Sequence, residues 1–135
     1  MKKAILFSAA FVLLVSCNNN DDDYQRTVEL LPVAKAEMPT EFAKDSITNI
    51  PVKFLRPTTC HIFDGFYYQK ESNQRTVAVY LEQLEQSNCV APLDTSIQVL
   101  NFKPRDTGMY HFKFWKGKDG SGTNLFDEYD VHVAH

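Results

Sequence analysis

From Thr27 onward, apolar residues recur at every second position, with turn residues interrupting them every eight to fifteen positions. Ile50, Val52 and Phe54 alternate with Pro51 and Lys53, and Val77, Val79 and Leu81 alternate with Ala78 and Tyr80. Tyr110, Phe112 and Phe114 alternate with His111 and Lys113, and Tyr129, Val131 and Val133 with Asp130 and His132. A period of two sets one row of side chains on a core and the other on water, as in antiparallel sheets. With 27–33, 62–68 and 97–102 added, the pattern predicts about seven antiparallel strands. Ser72-Asn73, Ser87-Asn88, Pro92, Pro104 and the glycine-rich 117–122 punctuate them. Asp64-Gly65 falls inside the third strand and predicts a bulge or a bend. Val77, Tyr80, Leu81 and Leu84 also fit helical spacing, and 82–86 are good helix formers. The β-branched start at Thr76 and Val77 favours a strand there.

Seven strands within residues 24–135 fit a single Greek-key β-sandwich. Asp106-Thr107-Gly108-Met109-Tyr110-His111-Phe112 resembles the D-x-G-x-Y-x-C stretch at the tyrosine corner of immunoglobulin domains, with Phe112 in place of the cysteine. That resemblance implies an immunoglobulin-like sandwich in which the Tyr110 hydroxyl bonds back to the preceding turn.

The start of the chain has a different character. Lys2-Lys3 precede an apolar run from Ala4 to Val15, the length of a signal peptide and too short to span a bilayer. Leu14-Val15-Ser16-Cys17 resembles the bacterial lipobox, which implies cleavage after residue 16 and a lipidated Cys17 anchoring the protein to the membrane. Asn18 to Asp23 contains no apolar residue, so 17–23 reads as a disordered tether. Its aspartates resemble the export signal of surface lipoproteins in Bacteroidetes-type bacteria, which implies an outer-membrane lipoprotein facing the cell exterior. The mature chain resembles small Bacteroidetes-type lipoproteins of uncharacterised function over most of 27–134. The matching stretches are Phe54 to His61, Gly65 to Tyr68, Arg75 to Val79 and Tyr110 to Trp115. The resemblance implies no particular activity.

Export gives the remaining cysteines a meaning. Cys60 and Cys89 are an even pair in an oxidising compartment and are expected to form one disulfide. Formal charge is −3 for the whole chain, and −2 once Lys2, Lys3 and the three tether aspartates are left out. Without a Lys/Arg cluster this argues against a nucleic-acid partner.

Catalytic signatures are missing: there is no Gly-X-Ser-X-Gly, no His-Glu-X-X-His and no phosphate-cradling glycine loop. The carboxylate pairs Glu82/Glu85 and Asp127/Glu128 read as exposed strand-edge charges, since a glycosidase pair needs a long cleft. A hairpin closing at 117–123 would bring His111 near Asp130 or His132, but those histidines alternate with core residues. Asp119, Ser121, Thr123 and Asp130 only loosely follow a calcium loop, with Asn124 where glycine belongs. No metal or cofactor is expected, and no enzyme. Asp45-Ser46-Ile47 matches an O-glycosylation sequon of Bacteroidetes-type exported proteins, making Ser46 a candidate for modification.

The aromatic content is the suggestive excess. Phe63, Phe66, Tyr67 and Tyr68 crowd one strand, and Tyr80 and Trp115 lie off-register from the core residues of theirs. Gathered on one sheet face, Tyr67, Tyr68, Tyr80 and Trp115 would stack on sugar rings or anchor a protein partner. The expected function is therefore a non-catalytic binding or accessory module for an extracellular glycan or protein. The competing expectation is a structural subunit of an outer-membrane assembly.

Overall fold

The computed structural model describes residues 26–134. The expected leader, Cys17, the tether and His135 lie outside the described residues. The chain is all-β. Its strands are β1 (Thr27–Leu31), β2 (Lys35–Ala36), β3 (Glu41–Ala43), β4 (Thr48–Phe54), β5 (His61–Glu71), β6 (Gln74–Gln83), β7 (Ser96–Phe102), β8 (Gly108–Lys118) and β9 (Asn124–Ala134). They form a six-stranded and a three-stranded sheet, the smaller one in the order β2-β4-β7. In the larger sheet β6 pairs with β5 along its whole length, from Gln74 to Gln83. Its other edge is shared by β1, opposite Val79–Gln83, and β8, opposite Gln74–Val77. The sheet then continues through β9 to β3.

Three features depart from the expected seven antiparallel strands. Short strands β2 and β3 are added, and the pairings β3–β9 and β6–β8 are parallel. Two- and three-residue strands carry too little alternation to be read from sequence, and pairing direction leaves no mark on a period-two pattern. The strand expected over 27–33 also ends early, at Leu31. Pro32 has no N–H to continue the ladder. The chain crosses there to the other sheet, with Val33 N–H donating to Trp115 O (2.8 Å) and Ala34 N–H to Lys53 O (2.8 Å).

The inward rows meet between the sheets as the alternation requires. Val77, Val79, Leu81, Tyr110, Phe112, Phe114, Val131 and Val133 pack against Ile50, Val52, Phe54, Leu100 and Phe102. Phe42 of β3 completes an aromatic centre, 4.8 Å from Phe102 and 5.7 Å from Phe112 between ring centroids. Each such buried ring contributes about 1.5–3 kcal/mol. At the entry to β8 the Asp106 N–H donates to the buried Tyr110 hydroxyl (3.4 Å). Cys60 and Cys89 form a disulfide with their Cα atoms 5.4 Å apart. It ties the start of β5 to the loop after β6, where Thr59 N–H also donates to Val90 O (2.8 Å).

Candidate functional site

The bulge expected at Asp64-Gly65 decides which aromatic rings face out. The β5–β6 register shifts between Phe63 and Gly65. Strict alternation would put Phe63 and Phe66 on opposite faces, since they are three residues apart. The extra residue turns both toward the core, their centroids 5.0 Å apart. Tyr67 then projects from the outer face and Tyr68 from the inner one.

On the outer face Tyr67 stands opposite Ala78, and Leu30 opposite Tyr80. Tyr67 and Tyr80 meet edge to face at 6.0 Å. The hairpin β8–β9 pairs Trp115 with Phe126. Trp115 Nε1 donates to Asn124 Oδ1 (3.1 Å), and Lys113 Nζ sits 4.2 Å from the Phe126 ring centroid. Between these strands lies a groove of about 480 Å³ lined by Leu30, Tyr67, Ala78, Trp115 and Phe126, with Gln69, Thr76, Lys118 and Asn124 as its polar rim. The groove forms where β1 enters the split between β6 and β8, which pair only over Gln74–Val77 and His111–Phe114. Its size and composition suit one or two sugar rings: apolar faces for stacking, with amide, hydroxyl and ammonium groups at the border.

Of the four expected contact residues, Tyr67 and Trp115 line this groove, Tyr80 meets Tyr67 beside it, and Tyr68 does not share that face. Tyr68 lies on the opposite face, in a different cleft beside Arg75. Burial pushes its phenol up, against the pull of the Arg75 charge. Leu30 and Phe126 were missed by the sequence reading. Phe126 was within reach of it, because a hairpin pairing His111 with Asp130 also pairs Trp115 with residue 126.

The other candidates fall into place individually. The hairpin register sets His111 against Asp130, while His132 pairs with Met109. His111 Nδ1 lies 2.5 Å from Asp130 Oδ1, and its Nε2 3.0 Å from Glu128 Oε1. Hydrogen bonds to Asp130 first and Glu128 second raise its pKa. The two carboxylates engage different ring nitrogens and do not converge on one point. In the hairpin tip, Asp119 Oδ1 accepts from the Ser121 and Thr123 N–H groups (2.9 and 3.0 Å) and from the Ser121 hydroxyl (2.7 Å). These bonds hold the Asp119 pKa down. Asp130, spent on His111, does not join that loop. Of the carboxylate pairs, Asp127 meets Lys116 (3.4 Å), and Glu82 meets Arg26 through both oxygens (2.8 and 2.9 Å). Ser46 is exposed in the turn between β3 and β4.

Neither a family model nor a curated protein nor a solved structure matches the chain.

Proposed function

We propose that the protein is a lipid-anchored, cell-surface, non-catalytic binding module of immunoglobulin-like build, whose outer aromatic groove takes a glycan. The placing of Tyr67 and Trp115 in one outward groove, with Tyr80 packed edge to face on Tyr67 beside it, carries the reading. The immunoglobulin-like build is supported by two facing sheets and by the Asp106–Tyr110 hydrogen bond at the start of β8. Trp115 is the single tryptophan of the chain, so its fluorescence reports directly on the groove. Titration with neutral oligosaccharides should shift that emission saturably. Tyr67→Ala should weaken the binding about tenfold, as loss of a stacking anchor does.

A second reading, a structural subunit of an outer-membrane assembly, draws on Val28, Leu30 and Ile62, which are exposed on the neighbouring strands. In that case oligosaccharides leave the emission unchanged and partners co-purify after gentle detergent extraction.

The anchor and the address rest on residues 1–23. Proteolysis of intact cells should remove the domain, and the intact native chain should lack residues 1–16 and carry lipid on Cys17 and a hexose-scale addition on Ser46. Protection until lysis would place the domain in the periplasm, and an unmodified mass would remove the lipid and Ser46 assignments.

A further inference from the structure

Across the sheet from the aromatic groove, Arg75 opens β6 with its side chain on the inner face and only 5% of its surface exposed. Its Nη1 donates to the Ser72 and Gln74 carbonyls (2.6 and 3.0 Å). The guanidinium carbon lies 5.2 Å from the Tyr110 ring centroid and 5.8 Å from that of Phe102. Among the described residues its Nε has no hydrogen-bond partner and no carboxylate pairs with it. A buried cation without an anion pays its desolvation cost uncompensated, and cation–π contacts return only part of it.

Arg75 lines a cleft of about 320 Å³ between the β5–β6 turn and the end of β7. Lys70, Lys103 and Arg105 stand around it, with Asp106 as its one carboxylate. On a chain of net charge −3, this is a local concentration of positive charge. Tyr68, 42% exposed, offers a ring at the rim, and Asn73 and Asn101 offer amides. A planar guanidinium flanked by further cations recognises an oxyanion, and an aromatic face with amides beside it recognises the ring that carries one.

We propose that this cleft binds an acidic saccharide, its carboxylate or sulfate at Arg75 and its ring against Tyr68. The site is separate from the aromatic groove, because Tyr67 and Tyr68 project from opposite faces of the same strand. Calorimetry on the full chain in detergent, with a glucuronate-containing disaccharide, its sulfated form, the neutral disaccharide of the same linkage and inorganic sulfate as probes, tests it. The acidic disaccharides should bind, the neutral one should not compete, and affinity should fall several-fold between about 0.05 and about 0.5 M salt. Preference between the unsulfated and sulfated forms identifies the oxyanion. Arg75→Gln should abolish binding. Because that change touches the core, Lys103→Gln with Arg105→Gln supplies the second test and should weaken binding about tenfold. A neutral disaccharide that binds without displacing the acidic one reports on the aromatic groove. Displacement of the acidic disaccharide by an excess of the neutral one, binding of inorganic sulfate alone, or an unaltered affinity for the acidic disaccharide in the double variant would each overturn the proposal.

Discussion

His111 shows how a residue expected to face water acquires a defined electrostatic role. It lies between Asp130 and Glu128, and the two hydrogen bonds raise its pKa above the ordinary histidine value near 6.5. A group whose pKa rises on folding stabilises the fold fully below its unfolded value, and that contribution fades as pH climbs through the folded one. The His111 ring proton followed by NMR should therefore titrate above about 6.5. Asp130→Asn should bring it down, and should reduce the part of the stability that depends on pH between the two values, Glu128 holding the remainder. A midpoint at or below the ordinary value would mean that the ion pairs do not persist in solution. The sequence left Asp130 and His132 as alternative neighbours, since only the hairpin register chooses between them. Arg75 was harder to foresee. As a lone arginine before a valine-rich strand it resembles a solvated strand end, and its burial comes from Phe102 and Tyr110, distant in sequence.

At the level of strands, alternation located the inward rows of β4, β6, β8 and β9, because period two is a local property. It could not report that β6 and β8 run parallel, which depends on how the chain is routed. Nor could it assign Tyr67 and Tyr68 to different sites without the bulge, although Asp64-Gly65 announced one. Gly65 adopts φ +142°, a backbone conformation open to glycine and costly for residues with a Cβ. The disulfide works at the same scale. It closes a stretch with a sequence separation of 29 that contains the β5–β6 hairpin, and closing a longer stretch removes more freedom from the unfolded chain. Replacing both Cys60 and Cys89 by serine should cost about 3–4 kcal/mol in urea unfolding. A loss under about 1 kcal/mol would mean that the Thr59–Val90 and Leu84–Cys60 backbone bonds already hold this loop.

For the molecule as a whole, the aromatic groove and the Arg75 cleft are dissimilar hollows, one apolar and outward, one cationic and against the inner face of β6. The described chain begins at Arg26, whose guanidinium grips Glu82 and Asp64 (2.6 Å to Asp64). Arg26 holds the Glu82 carboxyl below its usual range, so this clamp loosens in acid, as pH falls through the depressed value. Just beyond it, β1 runs antiparallel along β6 from Thr27 opposite Gln83 to Leu31 opposite Val79. Arg75 lies at the other end of β6, eight residues away and about 26 Å along a strand. An anchor before Arg26 and a ligand at Arg75 would therefore pull on opposite ends of one strand. Tension between them acts along β1, in shear. The hydrogen bonds to β6 and the Arg26 clamp then share the load together, where a perpendicular pull would open them one after another.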